Sequence, residues 1–254
     1  MTTKKIKMLV TDLDGTLLRT DKTVSENTKA ALLQCREAGI KVAYATARSI
    51  SAEKLVPPSL FDGKVATNGA IVEVEGEVIY RRLIPSEVAR PILLAGVEHG
   101  LHMTSQDGEK HYTNTIVKIP DHWCALDWEV VDFSQHNIDA SKIYTYDLTA
   151  EDVAFIQNLL PSDLYMVIAI DGLAMIMHRE ATKSKGVAEL ARHWGISPSE
   201  IVAFGDDLND IDMLSFAGTS VAMENALESV KAVADFTCGN NDEDGIAKWI
   251  TNIL

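Results

Sequence analysis

The chain has 254 residues, of which 46% are apolar and 24% are charged, and this composition excludes a disordered chain. Its 37 acidic residues outnumber its 23 lysines and arginines and give a formal net charge of -14. A charge of this sign disfavours nucleic acid and anionic membrane surfaces as partners.

The first apolar stretch of the chain is too short to cross a membrane or to act as a signal peptide. It breaks at Thr11 and Asp12, whereas a spanning helix needs about 20 apolar residues. The cysteines Cys35, Cys124 and Cys238 are far apart and form no CxxC pair, so they indicate neither a disulfide framework nor a zinc site. We therefore expect a cytoplasmic protein with no membrane partner.

The first part of the chain alternates strand and helix patterns. The sequence predicts a strand over residues 7–11, a helix over 25–39 with Ser25 as its N-cap, and a strand over 40–45. Strand, helix and strand of this length form a βαβ unit, which implies a parallel sheet with a right-handed crossover. Another core strand is expected at 65–67.

The middle of the chain shows the alternating polarity of antiparallel hairpins. Turns are predicted at Glu75–Gly76, Asp107–Gly108 and Asp171–Gly172, and helices over 86–99 and 150–160. This pattern indicates an α+β domain inserted into the first one.

The alternation of the first part resumes towards the C-terminus. Helices are predicted over 185–193, 209–216 and 244–253, and strands over 201–204 and 220–223. The predicted fold class is therefore α/β. A Rossmann-like parallel-sheet core, residues 1–82 and 182–254, is interrupted by an inserted α+β domain at 83–181.

Acidic residues follow two of the predicted parallel strands. Asp12 and Asp14 follow the first predicted strand and lie about 7 Å apart on one side of it. The strand predicted over 201–204 is followed by Asp206, Asp207 and Asp210. The carboxyl ends of parallel strands meet at one edge, where open α/β sheets bind ligands. Carboxylate oxygens suit Mg²⁺, which prefers carboxylates, waters and a phosphate.

Two further residues suit a phosphate group at this edge. Thr46 ends the second predicted strand and Lys185 lies in the first turn of a helix, so a hydroxyl, amides and a positive charge would face the carboxylates. Singly, each is more simply a turn or a surface residue, but together they supply what nucleophilic phosphoryl transfer requires. An EF-hand is excluded because Gly15 is the fourth residue of the DLDG loop, where the motif needs glycine sixth.

Seven short motifs lie in order along both ends of the chain: DLDGTLL (12–18), ATAR (45–48), TNGA (67–70), SKG (184–186), GDDLND (205–210), AMENA (222–226) and NDEDGIA (241–247). With these motifs the chain resembles the haloacid dehalogenase superfamily of phosphohydrolases. Within it, the chain resembles the Cof-type sugar-phosphatase-like branch with an inserted class IIB cap. The resemblance implies that the inserted domain closes over the site and determines specificity.

The resemblance also implies roles for the acidic residues. Asp12 is expected to attack phosphorus and form an aspartyl-phosphate, while Asp14 acts as general acid and then as general base. Mg²⁺ is expected to bind the carboxylates of Asp12 and Asp206 and the main-chain carbonyl of Asp14, with Asp210 in support. Asp207 is interpreted as a helix N-terminal acid.

The phosphate site implied by the resemblance consists of Thr46, the amides of Leu13 and Ala47, Lys185 and Asn209. Lys183 and Lys185 are both candidates for the cation that binds the phosphoryl oxygens. Lys185 is favoured because it directly precedes Gly186. Arg48 and Asn68 are candidates for further support, although an Asn-Gly turn is a sufficient reason for Asn68.

The expected function is magnesium-dependent hydrolysis of small phosphorylated metabolites, with sugar phosphates as the leading substrate class. A phosphosugar mutase is an enzymatic alternative, because mutases keep both acids. A non-catalytic metabolite-binding or regulatory protein with the same fold is a second alternative. The sequence identifies neither the individual substrate nor the oligomeric state.

Overall fold

The computed structural model describes residues 6–115, 127–168 and 172–252. The chain divides into two compact units, which we call the core unit (Met1–Arg81 with Thr182–Leu254) and the inserted unit (Arg82–Ala181). The sequence predicts 83–181 for the insertion. The predicted turn residue Asp171 and the cysteine Cys124 lie outside the described residues.

The core unit is built on an eight-stranded sheet, with strands numbered along the whole chain. They are β1 (Met8–Thr11), β2 (Lys41–Ala45), β3 (Gly63–Ala66), β4 (Ile71–Val74), β5 (Glu77–Arg81), β12 (Ile201–Gly205), β13 (Thr219–Ala222) and β14 (Phe236–Thr237). Their order in the sheet is β14-β13-β12-β1-β2-β3-β4-β5. Strands β14 to β3 of this order are parallel and the β4–β5 hairpin is antiparallel, which confirms the predicted α/β class.

Helices pack on this sheet and bury its central strands. They are α1 (Glu26–Glu37), α4 (Lys183–Trp194), α5 (Ile211–Phe216), α6 (Glu228–Lys231) and α7 (Gly245–Thr251). Every residue of β1 is buried, as expected for a central strand of a parallel sheet. Helix α1 starts where predicted, because the Ser25 hydroxyl accepts the amide of Thr28 at 3.1 Å. It ends before Gly39, whose φ of 80° is left-handed.

The inserted unit combines a six-stranded sheet with two helices. Its elements are α2 (Ser86–Glu98), β6 (Thr104–Asp107), β7 (Lys110–Thr113), β8 (Asp127–Val130), β9 (Lys142–Thr145), α3 (Ala150–Leu159), β10 (Leu164–Ile168) and β11 (Ala174–His178). The sheet order is β10-β11-β9-β6-β7-β8, and only the β7–β8 pair is parallel.

One face of this second sheet forms an apolar core with the helices. Ile143 of β9 and Ile176 of β11 belong to one buried cluster with Leu93 of α2 and Ile156 of α3. Among the helices in the described part of the chain, none is both long and apolar enough to cross a bilayer.

Candidate active site

The candidate site lies at the carboxyl ends of the central strands of the core unit. Asp12 directly follows β1, Thr46 follows β2 and Asp206 follows β12. The amide of Asp12 donates to the carbonyl of Phe204 at 3.0 Å, and that of Thr46 to the carbonyl of Val65 at 2.9 Å. The sheet therefore holds these loops side by side at the edge where parallel sheets bind ligands.

A buried lysine joins two of the carboxylates. The Nζ atom of Lys183 lies 2.6 Å from Oδ1 of Asp12 and 2.6 Å from Oδ1 of Asp210, and the Lys183 side chain is 1% exposed. Burial lowers the pKa of Lys183, but the charges of Asp12 and Asp210 outweigh it and raise that pKa overall. The lysine is therefore a permanent cation between two carboxylates.

Local helix structure positions this cation. Thr182 caps α4 by accepting the amide of Lys185, so Lys183 is the first residue of the helix. A Cβ atom at Gly186 would overlap Cγ1 of Val65, so glycine allows the first turn of α4 to approach β3 closely. The start of the helix is thereby held against the strand end.

The two lysines that compete for the phosphate-binding role lie in different environments. Lys185 is exposed, whereas Lys183 is the lysine that contacts Asp12. Two helical residues that are two positions apart point about 200° away from each other, so only one of them can face the site. The missed signal is periodicity: Lys183 lies on the buried face that includes Val187 and Leu190.

The loop after β12 is held by Asp210. Its Oδ2 atom accepts the amides of Asp206 at 2.9 Å and Asp207 at 3.1 Å, while its Oδ1 atom accepts Lys183. Asp210 is fully buried. Asp207 instead bonds the amide of Leu208 and caps a short 3-10 turn, in accordance with its interpretation as an N-terminal acid.

Three carboxylates form a group that fits a divalent cation. Asp12, Asp206 and Asp210 each offer one oxygen, and these oxygens lie within 4.8 Å of one another. Burial, followed by the charges of Asp210 and Asp207, raises the pKa of Asp206 to about 7 against the hydrogen bond from Thr16. Burial also raises the pKa of Asp12, with Lys183 opposing it and the neighbouring carboxylates adding to it. Such repulsion between oxygen ligands is what a bound cation would relieve.

Asp14 lies in a different environment. Its carboxylate accepts hydrogen bonds from Nε of Arg48 at 2.5 Å and from Nη2 of Arg48 at 2.8 Å. It also accepts one from Nζ of Lys22 at 2.8 Å. Burial raises its pKa, but the hydrogen bonds and charges of Arg48 and then Lys22 lower the pKa of Asp14 to about 2. Arg48 is therefore a direct partner of Asp14, and Lys22 is a residue that the motifs did not indicate.

The remaining predicted residues surround this centre. Thr46 is buried and its hydroxyl accepts the amide of Arg48 at 3.1 Å. The Leu13 side chain is fully buried in the core. Asn209 donates to Oδ1 of Asn68 at 3.2 Å, and Asn68 has a left-handed φ of 52°.

Other notable residues from the sequence have local contacts of their own. Glu224 is exposed, but its neighbour Asn225 donates to the carbonyl of Gly15 at 2.7 Å. In the inserted unit, His111 is buried and stacks on Trp128. The aromatic and histidine residues 122 and 123 lie outside the described residues.

Comparisons with known proteins agree over nearly the whole chain. A family model described as haloacid dehalogenase-like hydrolase matches residues 9–250. The 5-amino-6-(5-phospho-D-ribitylamino)uracil phosphatase YitU of Bacillus subtilis is 27% identical, and the match covers 96% of each chain.

Two solved structures of phosphatases from the same superfamily are also similar. BT1666 from Bacteroides thetaiotaomicron has a TM-score of 0.86 and 29% identity, covering 99% of this chain and 96% of that one. The subclass IIB sugar phosphatase BT4131 has a TM-score of 0.83 and 28% identity, covering 97% of this chain and 98% of that one.

Proposed function

Because the chain belongs to the haloacid dehalogenase-like hydrolases and is a phosphatase of small phosphorylated molecules, we propose that it hydrolyses sugar or sugar-alcohol phosphates with Mg²⁺. The observation that carries the proposal is the contact of Asp12 with Lys183 beside Asp206 and Asp210. A carboxylate can attack phosphorus when nearby cations stabilise the negative charge of the phosphoryl group. This group of residues supplies both the carboxylate oxygen and a cation close to it.

We infer that the reaction has two steps. In the first, an Asp12 oxygen forms a bond to phosphorus while the bond from phosphorus to the leaving-group oxygen breaks, and Asp14 gives that oxygen a proton. In the second, Asp14 takes a proton from water, the water oxygen bonds to phosphorus, and the bond from phosphorus to Asp12 breaks. Arg48 and Lys22 favour the charged form of Asp14, which is the form that the second step needs, whereas the first step uses the proton that Asp14 takes from water in the second step of the preceding turnover.

The core unit also offers groups for binding phosphate and metal. Mg²⁺ would be held by the carboxylates of Asp12 and Asp206 and the carbonyl of Asp14, where it would neutralise charge on the transferred phosphoryl group. Asp210 orients the loop that carries Asp206. Lys183 replaces Lys185 as the proposed cation at the phosphoryl group.

Thr46, the amides of Leu13 and Ala47, and Asn209 stay the proposed contacts of the phosphoryl oxygens. Asn68 supports Asn209 through their hydrogen bond. These residues position the ester and add no proton transfer of their own.

The proposed substrate class rests on the relatives. One solved relative is named a sugar phosphatase, and the name of the Bacillus subtilis relative places the phosphate on a ribityl group. Both names describe phosphate on a polyhydroxylated carbon chain. We propose the same kind of leaving group for this chain.

The test is a panel of sugar, sugar-alcohol and other phosphate esters incubated with purified protein, with and without Mg²⁺, with released phosphate as the readout. We expect Mg²⁺-dependent release that Asp12→Asn abolishes. Asp21→Asn makes the same substitution at an exposed position and is expected to retain activity. Full release by Asp12→Asn, or phosphate moved to a second hydroxyl without release, would contradict the proposal.

A further inference from the structure

One carboxylate of the site is bound by two cations. Asp14 accepts two hydrogen bonds from Arg48 and one from Lys22, all between 2.5 and 2.8 Å. One negative charge therefore faces two positive charges. Elsewhere in the site the balance is opposite, because Lys183 lies between two carboxylates.

The neighbouring turn contains charges that are already balanced. Arg19 pairs with Asp244 at 2.7 Å. The Asp21 carboxylate accepts both the amide and the hydroxyl of Thr23, at 2.9 and 2.6 Å. The acid next to Lys22 in sequence therefore bonds its own turn, and Lys22 pairs with Asp14 instead.

The turn holds Lys22 in place. The amide of Arg19 donates to the carbonyl of Thr23, and the amide of Lys22 donates to the carbonyl of Arg19, both at 2.9 Å. Lys22 itself has a left-handed φ of 65°, a conformation that non-glycine residues adopt infrequently. A closed turn of this kind fixes the backbone from which the Lys22 side chain reaches Asp14.

The two cations can be reached from solvent. The side chain of Lys22 is 49% exposed and that of Arg48 is 33% exposed, whereas Lys183 is almost wholly buried. An anion could therefore bind Lys22 without displacing any buried group. A half-exposed ammonium group beside the proposed proton donor can attract a negatively charged group of a substrate.

We propose that Lys22 is a specificity-determining residue that binds a second anionic group, a carboxylate or a second phosphate, on the leaving group of the substrate. This inference rests on the proposed function, since Asp14 meets the leaving-group oxygen only if the chain is the proposed phosphatase. The preferred esters would then be phosphorylated sugar acids or sugar bisphosphates, with the second anion near the ester oxygen. A charge-assisted hydrogen bond to that anion would favour it by about tenfold.

The experiment compares esters that differ mainly in the second anion. Glycerol 3-phosphate is paired with 3-phosphoglycerate, and glycerol 2-phosphate with 2-phosphoglycerate, so that the second anion lies within two carbons of the ester. Values of kcat and KM are measured for the wild type, Lys22→Met, Lys22→Arg and Lys29→Met. Lys29 pairs with Glu26 on α1, so Lys29→Met removes the same charge away from Asp14.

We expect the wild type to prefer the more anionic member of at least one pair by about tenfold in kcat/KM. Lys22→Met should raise KM for that member by a similar factor and leave KM unchanged for the partner without the second anion, whereas kcat should change equally for both because Lys22 also contacts Asp14. Lys22→Arg should keep most of the preference, and Lys29→Met all of it. The preference should also weaken at high salt, because exposed charges are screened.

Two results would overturn the inference. One is a wild type that hydrolyses the esters without a second anion and does not prefer the members that carry one, which leaves the proposed function intact. The other is an equal loss of kcat/KM for both members of a pair in Lys22→Met, which would mean that Lys22 only orients Asp14. A wild type that hydrolyses none of the esters with Mg²⁺ would contradict the proposed function itself.

Discussion

Lys183 bridges Asp12 and Asp210, with its Nζ atom 2.6 Å from an oxygen of each. This contact links the start of α4 to the ends of β1 and β12 within one buried group. The ammonium group of Lys183 compensates the charges of two buried carboxylates. In the proposed reaction it would also stabilise the negative charge of the phosphoryl group. We therefore expect both stability and activity to depend on this one side chain.

Replacing Lys183 should damage both properties. We expect Lys183→Met to lower kcat/KM for released phosphate by about a hundredfold or more, since a charge that stabilises the transition state is lost. The two carboxylates would be left buried without their cation, which should cost about 3 kcal/mol in the free energy of unfolding. Phosphate release and denaturant unfolding measure the two effects.

Lys185→Met is the matched control, because Lys185 is exposed on the same helix turn. It should leave activity and stability close to those of the wild type. The reverse result, with Lys185→Met inactive and Lys183→Met active, would restore the assignment made from the motif.

The contrast between these lysines shows what sequence could and could not predict. The order of strands and helices, the α/β class and the acidic residues at the strand ends follow from local patterns and motifs. The choice between Lys183 and Lys185 depends on where α4 begins, and Thr182 sets that point. The SKG motif predicts which short segment contains the lysine of the site, but it does not predict which lysine lies on the buried face of the helix.

Features that depend on distant partners were harder to predict. The salt bridge from Lys22 to Asp14 needs a turn that closes on itself, and nothing in the residue types around it indicates the direction of the side chain. Strands β8 and β14 were also not predicted. Both are short strands at a sheet edge, with most or all of their residues exposed, so they lack the apolar pattern that marks central strands.

Removing Arg48 should change the pH dependence of the reaction. Arg48 and Lys22 hold the pKa of Asp14 at about 2, so Asp14 stays a competent base down to low pH. In Arg48→Gln that pKa should rise towards its ordinary value near 4, and the acidic limb of the kcat profile, measured where the second step limits turnover, should move up by about one pH unit. Arg192→Gln, at an exposed pair with Glu189, is the control. An acidic limb that stays in place would show that Arg48 does not set this pKa.

The close contact of α4 with β3 can be tested by a double-mutant cycle. Gly186→Ala places a methyl group against Cγ1 of Val65, and overpacking of this kind costs about 1–3 kcal/mol. Activity should fall as well, because the same turn carries Lys183. Val65→Ala in the same chain makes room for the methyl group and should restore part of both losses.

The cycle has a definite contrary result. If the two substitutions simply add in the free energy of unfolding, then the methyl group and Val65 do not meet. The close packing would then not be what holds the start of α4.

The inserted unit should lose stability in acid through His111. This histidine is buried, its Nδ1 atom lies 2.6 Å from the Tyr144 hydroxyl, and burial followed by the charge of Lys142 lowers its pKa to about 4. Between pH 6.5 and 4 the unfolded chain binds a proton that the folded chain does not. Stability therefore falls as the pH falls through this window, by about 3 kcal/mol in total for this one group.

Denaturant unfolding at pH 7 and pH 5 measures this effect. His111→Gln should be less stable than the wild type at pH 7 but should show a smaller loss between the two pH values, because one titrating group is gone. His102 and His136, whose pKa values burial also lowers, keep their own contributions. His193→Gln changes an exposed histidine and should retain the full loss of the wild type. An unchanged pH dependence in His111→Gln would show that His111 becomes protonated without opposing the fold.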